Sequence, residues 1–357
     1  MKRLISFTSG ILIIIACLAL LSVHMLKKDG DSSSSKVLTI YNWGDYISPD
    51  LLKKFEKDTG YVVNYETFDS NEAMYTKIKQ GGTSYDIAIP SEYMIDKMIS
   101  EDMLVKLDKN KIQGLNNIDP KFLNLSFDKD NNYSIPYFFG TLGIVYNDKV
   151  IKKAPTKWND LWDKDNKDRI MLIDGAREVI GLALNAQGDS LNSKNINQVD
   201  EASRHLKDLT PNIKAIVSDE IKQYMIGEEA SLAVTYSGEA VEMLDQNKHL
   251  HYIVPKEGSN LWFDNMVMPK TVKNKKAAYA FLNFMLVPEN ARENAEYVGY
   301  ATPNDKARDL LEDSVKNDRQ FYPDKVTLKN LEVYKNLGQK WLGIYNDKYL
   351  KFKMYRK

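Results

Sequence analysis

The chain has 357 residues, of which 43% are hydrophobic, and it carries 49 basic and 49 acidic side chains. This length and ordinary composition predict two globular units rather than one oversized core. The balanced charge gives no electrostatic support for nucleic-acid binding. The single cysteine, Cys17, leaves the rest of the chain without a disulfide, a cysteine nucleophile or a cysteine metal ligand.

The first 36 residues have the composition of an export leader followed by a polar linker. Lys2 and Arg3 precede an apolar stretch at residues 5–26, which would form a helix of about 33 Å, long enough to cross a bilayer. The residues before Cys17 also resemble the cleavage box of bacterial lipoproteins. The stretch is therefore an uncleaved signal anchor or a leader lipidated at Cys17, and a buried core helix is the remaining alternative. Either anchor tethers the body to the outer face of the cell membrane or leaves it in the periplasm.

The body begins with alternating strands and helices. Ser48 and Pro49 predict the start of the first helix, and Gly60 predicts its end. Asp69 and Glu72 are the expected caps of the second helix, which reaches residue 80. The predicted strands are 37–41, 61–65 and 86–90. The order is β-α-β-α-β, which is typical of an α/β lobe.

Similar units recur in the second half of the chain and predict a second α/β lobe. The predicted strands are 141–147, 169–173, 231–236 and 265–269. The predicted helices are 176–187, 238–246, 275–285, 288–297 and a helical tail from residue 327.

Aromatic and acidic residues occur together in the turns that follow these strands. Ligands of open α/β sheets bind beyond the carboxyl ends of the strands, so these turns are candidate binding segments. Carboxylates bind ammonium groups through charge-assisted hydrogen bonds, and aromatic faces bind both the cation and its methylenes. Each residue alone is more often a packing residue or a helix cap, but the combination predicts a site for an extended organic cation.

The sequence offers little support for catalysis. It contains no Gly-x-Ser-x-Gly, P-loop, dinucleotide-binding or His-Glu-x-x-His motif, and we predict no cofactor and no metal. His249 and His251 fit one strand face, but no nearby carboxylate accompanies them in sequence, so we interpret them as solvated. A glycosidase-like carboxylate pair stays open.

Six segments, in order over about residues 38–334, resemble the spermidine/putrescine-binding proteins of polyamine ABC importers. They are 41–46, 71–75, 133–137, 176–179, 262–264 and 299–304. The resemblance implies a two-lobed type II periplasmic-binding-protein fold that closes on a polyamine and delivers it to an ABC permease with a cytoplasmic ATPase. The implied crossings between the lobes lie near Gly140, Asp264 and Ala307. Lobe 1 would then contain residues 37–140 and 264–308, and lobe 2 residues 141–263 and 309–357.

The resemblance also implies a set of ligand-binding residues. Its aromatic walls are Trp43, Tyr46, Tyr93, Trp262 and Tyr300. Its polar and acidic contacts are Asp45, Ser91, Glu178, Ser218 and Asp264. Three positions depart from the spermidine-binding pattern: Gly175 replaces a second carboxylate, Tyr236 replaces Trp, and Tyr334 replaces Gln. Asp174 precedes Gly175, but adjacent residues of an extended segment point in opposite directions.

We therefore predict a binding protein rather than an enzyme, with spermidine or putrescine as its ligand. One alternative is a protein of the same fold that binds a sugar or a cationic amino acid. A sugar site needs neutral hydrogen-bonding groups, which the pair of acids Glu178 and Asp264 does not provide. Another alternative is an exported enzyme built on this fold, and a third is a surface adhesin, although no repeat or stalk is present.

Overall fold

The structure is a computed structural model that describes residues 36–218 and 220–355. The predicted leader through residue 35, with its candidate lipidation site Cys17, lies outside the described residues. Within the described ranges, no helix combines the length and the apolar character that crossing a bilayer requires.

The described residues form strands and helices in alternation. The strands are β1 Val37–Trp43, β2 Val62–Phe68, β3 Ile87–Ala88, β4 Ser134–Asn147, β5 Ile170–Ile173, β6 Ile213–Val217, β7 Leu232–Tyr236, β8 Leu250–Ile253, β9 Ser259–Val267 and β10 Leu331–Glu332. The helices are α1 Pro49–Thr59, α2 Asn71–Gln80, α3 Glu92–Ser100, α4 Ala176–Ala186, α5 Ile196–Leu209, α6 Ile221–Ile226, α7 Ser237–Gln246, α8 Lys275–Leu286, α9 Pro288–Val298, α10 Asp305–Asp309, α11 Asp313–Lys316, α12 Lys325–Leu328 and α13 Gln339–Tyr355. Short 3₁₀ turns are Lys109–Lys111, Leu115–Asn117, Pro120–Phe122, Lys129–Asn131, Trp158–Trp162, Lys164–Asn166 and Thr210–Asn212.

The strands pair in the order β2-β1-β3-β9-β4-β7-β5-β6, with β10 beside β9 and β8 beside β4. Strand β1 runs parallel to β2 and β3, and β5 runs parallel to β6 and β7. The long strands β4 and β9 are antiparallel and connect these two parallel groups. The predicted mixed α/β class, with two groups of parallel strands, is confirmed.

The hydrophobic core divides along strand β4. Ile135, Phe138 and Phe139 pack in a first cluster with β1, β3 and the end of β9. From Leu142 onward, alternate residues of β4 pack in two clusters that cover opposite faces of β5 and β7. The chain therefore passes between two separately packed regions at about residues 140 and 141.

Core packing indicates where the chain passes between these regions for the third time. Leu311 and Tyr322 belong to the first cluster, whereas Leu337 and Tyr345 belong to the second. We therefore propose that the third crossing follows Tyr322 rather than lying near Ala307. The other lobe boundaries stay predictions, although Leu261, Trp262 and Phe263, predicted for lobe 2, pack in the first cluster.

Local sequence signals account for several element ends and not for others. Helix α1 begins at Pro49 and ends at Gly60, whose φ of 73° is the left-handed conformation that glycine adopts easily. The expected cap at Asp69 is wrong, because the Ser70 side chain accepts the hydrogen bond from the backbone N–H of Ala73. The helical tail expected from residue 327 is interrupted by β10, and the long helix begins only at Gln339.

The largest differences between the predicted and the observed elements lie in the two connecting strands, β4 and β9. Strand β4 begins at Ser134, seven residues before its predicted start, and a register shift after Pro136 accommodates the proline. Strand β9 begins at Ser259, six residues before its predicted start. Both strands are almost fully buried, so they lack the alternation of polar and apolar residues that marks a strand in sequence.

Candidate ligand-binding site

Asp264 lies at the centre of the candidate site, on strand β9, and is 5% exposed. The Tyr46 hydroxyl donates to its Oδ2 at 2.7 Å, and the Ser91 hydroxyl donates to its Oδ1 at 2.7 Å. Burial raises the pKa of Asp264 to about 6, and the two hydroxyl hydrogen bonds oppose the rise. The carboxyl group is therefore mostly ionised at neutral pH, although it is buried.

Both hydroxyl donors are themselves held in place. The backbone carbonyl of Tyr46 accepts from the Tyr137 hydroxyl at 2.7 Å, and that hydroxyl accepts from the Asn294 side chain at 2.8 Å. Asn71 donates to the Ser91 hydroxyl and accepts from its backbone N–H, each at 3.0 Å. This network fixes both oxygens of Asp264 before any ligand arrives.

Aromatic rings line the region beside Asp264. Trp262 meets Tyr300 edge to face, with ring centroids 5.0 Å apart, and Tyr300 meets Tyr46 in the same way at 5.5 Å. Tyr236 approaches Trp262 at 6.1 Å with the rings nearly perpendicular. Four of the predicted aromatic residues therefore form one connected group, and ring faces of this kind attract cations and pack against methylenes.

Two glycines make room for this aromatic group. A Cβ atom at Gly238, in the first turn of α7, would collide with the Tyr300 ring. A Cβ atom at Gly140, where β4 passes between the hydrophobic clusters, would collide with the Trp262 ring. Sequence analysis noted Gly140 only as a crossing, and it did not connect either glycine with ring packing.

Glu178, in the first turn of α4, is joined to the aromatic group through the Tyr236 hydroxyl. Burial raises its pKa, and a hydrogen bond from the Tyr236 hydroxyl opposes that rise. A Cβ atom at Gly175, the N-cap of this helix, would collide with the Glu178 carboxylate. A side chain at position 175 is therefore incompatible with the observed position of Glu178, which accounts for the glycine there.

Tyr93 and Tyr334 lie within electrostatic range of Glu178. Burial raises the pKa of Tyr93 well above its usual value, and the negative charges of Glu72 and Glu178 raise it further. The Tyr93 hydroxyl donates to Glu72 at 3.2 Å. The Tyr334 ring is 5% exposed and lies 4.3 Å from the guanidinium carbon of Arg177. Both tyrosines border the same region as Glu178, so they belong to its side of the site.

Three predicted residues occupy different surroundings. The Trp43 indole donates to the carbonyl of Ile89 at 3.0 Å, and its ring packs on Phe68 at 4.5 Å. Asp45 is exposed at the turn after β1, with a φ of 48°, and Ser218 is exposed after β6. Within residues 36–218 and 220–355, no hydrogen bond or ring contact joins Asp45 or Ser218 to Asp264 or Glu178. Their binding roles stay predictions.

Asp174 does not replace the acid that is missing at position 175. Its carboxylate accepts from the Tyr349 hydroxyl at 2.5 Å and pairs with Lys353 at 2.7 Å. Both partners belong to the C-terminal helix α13, so Asp174 attaches that helix to the end of β5.

Sequence analysis missed a buried acid, Glu92, at the start of α3. Glu92 is 0% exposed, and its Oε2 accepts from the backbone N–H of Phe263 at 2.9 Å. The only sequence signal was its position between Ser91 and Tyr93, where an acidic residue is also an ordinary first-turn residue of a helix.

The expectation of no nearby carboxylate for the two strand histidines is wrong. His249 and His251 each contact Asp148 at 2.9 Å, although that residue is about a hundred positions away in sequence. All three side chains are exposed. The described residues contain no group of three or more His, Cys, Asp or Glu side chains arranged to hold a metal ion.

Comparisons with known proteins agree with this architecture. The model of the family described as "Bacterial extracellular solute-binding protein" matches residues 50–323. The chain is 40% identical to the spermidine/putrescine-binding periplasmic protein of Salmonella typhimurium, over 90% of this chain and 93% of that protein. It is 32% identical to a putrescine-binding periplasmic protein of Escherichia coli, over 82% of this chain and 84% of that protein.

A solved structure extends the comparison to the fold. The spermidine/putrescine ABC transporter substrate-binding protein of Streptococcus pneumoniae superposes with a TM-score of 0.84 at 63% sequence identity. The alignment covers 90% of this chain and all of that chain.

Proposed function

Because the chain belongs to the bacterial extracellular solute-binding protein family, we propose that it is the substrate-binding component of a polyamine ABC importer. Its ligand is spermidine or putrescine, the two polyamines in the printed names of its relatives from Salmonella and Streptococcus. The predicted periplasmic-binding-protein fold is confirmed by the similarity to the streptococcal structure.

The buried, hydroxyl-supported Asp264 is the observation that carries this proposal. Its two oxygens already accept hydrogen bonds from neutral donors, and its remaining lone pairs suit an ammonium group. The rings of Trp262 and Tyr300 stand beside it and suit the methylenes between two amines. Glu178 supplies a second anionic group at the other side of the site.

The expected energies are sufficient for a transported solute. A charge-assisted hydrogen bond contributes roughly 1.5 to 3 kcal/mol, and an aromatic face contributes roughly 0.5 to 2 kcal/mol to a cation. Two carboxylates and three aromatic faces supply roughly 5 to 12 kcal/mol before entropic costs, while a micromolar site needs about 8 kcal/mol. Binding alone accounts for these groups, so the proposed role involves no catalysis.

We place the protein outside the cytoplasm, as in the relatives described as periplasmic. Residues 1–36 would hold it at the outer face of the membrane, either as an anchor or through a lipid on Cys17. Closure of the two regions around the ligand, followed by docking on a permease with a cytoplasmic ATPase, would deliver the polyamine.

Calorimetry of the purified full-length protein tests the proposal. The titrants are putrescine, spermidine and spermine, with maltose and arginine as representatives of the sugar and cationic amino-acid alternatives. The proposal expects micromolar or tighter binding of at least one polyamine and none of maltose. Heat with maltose or arginine and none with any polyamine would assign the protein to another solute.

A further inference from the structure

Glu92 is a buried acid with an incomplete set of hydrogen bonds. Its Oε2 accepts from the backbone of Phe263, but its Oε1 is fully buried and has no hydrogen-bond partner among the described residues. A buried carboxylate oxygen without a partner costs about 1 to 3 kcal/mol or more, so folding alone does not favour an acid at this position. A threonine or an alanine would fit the first turn of α3 without that cost.

The surroundings of Glu92 belong to the candidate site. Its neighbours along the chain are Ser91, which donates to Asp264, and Tyr93, which lies near Glu178. Its backbone partner, Phe263, stands between Trp262 and Asp264 on β9. The Glu92 carboxyl therefore lies beside the segment of β9 that supplies both an aromatic wall and the central acid.

Charged and titratable groups face Glu92 from three further elements: Asp264 on β9, Arg177 on α4 and Tyr334 after β10. Arg177 is already engaged, because its guanidinium donates to the Lys335 carbonyl at 3.3 Å and to the Asn192 side chain at 2.9 Å. Burial raises the pKa of Glu92 to about 8, and the negative charge of Asp264 adds to the rise, while Phe263 N–H and Arg177 oppose it. In the free protein, Glu92 is consequently protonated at neutral pH.

We propose that Glu92 is a third anionic contact of this site and takes an amine of the ligand that neither Asp264 nor Glu178 holds. This inference rests on the proposed function. The bound ammonium donates to the free Oε1 of the ionised carboxylate, and the proton that leaves Glu92 passes to solvent. Three carboxylates match the three charges of spermidine, whereas putrescine has two, so Glu92 determines the preference for a triamine. It also supplies an acid that position 175 lacks.

The first test compares spermidine and putrescine on matched variants of the full-length protein. Glu92→Gln keeps the size of the side chain and an acceptor for Phe263 N–H, and Glu289→Gln changes an exposed glutamate in α9 as the control. We expect Glu92→Gln to weaken spermidine binding about tenfold and putrescine binding no more than about twofold. An equal loss for both amines, or no loss for either, would overturn the role of Glu92.

The second test counts protons and does not depend on selectivity. Calorimetry with spermidine at pH 7, in buffers of different ionisation enthalpy, should show release of roughly one proton more by the wild type than by Glu92→Gln. Between pH 7 and pH 8.5, the spermidine affinity of the wild type should rise relative to that of the variant, since deprotonation of the ligand affects both proteins equally and ionisation of Glu92 affects only the wild type. Equal proton counts would show that Glu92 remains protonated and serves only packing.

The proposed function and the role of Glu92 can be overturned separately. If the wild-type protein binds no polyamine, both the proposed function and the role of Glu92 are wrong. If it binds spermidine and Glu92→Gln behaves like Glu289→Gln, only the role of Glu92 is wrong.

Discussion

The two acids of the candidate site, Asp264 and Glu178, differ in how firmly hydrogen bonds hold them. Asp264 is 5% exposed and accepts hydrogen bonds from two hydroxyls, each of which is fixed by further side chains. Glu178 is half-buried in the first turn of α4. Burial raises its pKa, and a backbone hydrogen bond, the Tyr236 hydroxyl and the charge of Arg177 oppose that rise. Two side-chain hydroxyls donate to Asp264, whereas one side-chain hydroxyl, which belongs to the aromatic group, donates to Glu178.

This difference predicts unequal contributions of the two acids to ligand binding. A buried, fixed carboxylate in a region of low effective dielectric interacts strongly with one ammonium group. Little free energy is lost in ordering its side chain on binding. Glu178 is less completely buried and has fewer side-chain donors, so we expect more of its interaction with an ammonium group to be offset by reordering. Changes on the Asp264 side should therefore have larger effects than equivalent changes on the Glu178 side.

Removal of the Asp264 charge should have the largest effect. Asp264→Asn should weaken polyamine binding between tenfold and about a hundredfold, because a charge-assisted hydrogen bond contributes roughly 1.5 to 3 kcal/mol. Calorimetry measures the loss, and a thermal melt checks that the fold is retained. Asp50→Asn is the matched control, since Asp50 is exposed and pairs with exposed Lys53. Equal affinity of the two variants would remove Asp264 from the site.

Acidification should weaken binding through the same residue. The pKa of Asp264 is raised from 3.8 to about 6 in the free protein, and a bound cation favours the ionised form. As the pH falls through 6, binding has to expel a proton, so this group should lower the affinity by up to about tenfold between pH 7 and pH 5. The loss should be smaller in Asp264→Asn. An affinity that is constant over this interval would contradict the assignment.

The fit of the aromatic wall can be tested at Gly238. A Cβ atom there would collide with the Tyr300 ring, so Gly238→Ala should displace that ring and reduce affinity about fivefold, with a stability loss of about 1 to 3 kcal/mol. Gly343→Ala is the control, because it adds a Cβ to open space on helix α13 and should stabilise the protein by about 0.5 to 1 kcal/mol. Urea unfolding and calorimetry distinguish the two. A Gly238→Ala protein with unchanged affinity would show that Tyr300 does not contact the ligand.

The smallest of these effects is expected at Glu178. Glu178→Gln should weaken polyamine binding about threefold, because burial raises the pKa of Glu178 and fewer side-chain donors hold it than hold Asp264. Calorimetry beside Asp264→Asn gives the comparison directly. A larger loss for Glu178→Gln than for Asp264→Asn would reverse the order of the two acids.

The fold could be predicted from sequence where signals are local. Pro49 and Gly60 bound helix α1 because proline has a fixed φ that suits the first helical turn, while glycine permits the left-handed conformation that ends the helix. The connecting strands β4 and β9 were placed too late, because burial on both faces removes the period-two pattern and Pro136 resembles a strand end. Their pairing across more than a hundred residues leaves no local signal.

The site could be predicted in part for the same reason. Tyr46 stands in the turn after β1, whereas Trp262 and Asp264 lie within β9; all three were marked by neighbouring aromatic and acidic residues, and the structure brings them together. Glu92 was missed because its burial depends on β9, about 170 positions away, and an acid in the first turn of a helix is ordinary. The contact of His249 with Asp148 was missed because it, too, depends on distant strand pairing.

A crystal structure of the protein with spermidine would test the central claim most directly. We predict one ammonium nitrogen at about 3 Å from the Asp264 carboxylate, with the neighbouring methylenes against the rings of Trp262 and Tyr300. A second amine should approach Glu178. Spermidine bound elsewhere, with Asp264 contacting only Tyr46 and Ser91, would contradict the account.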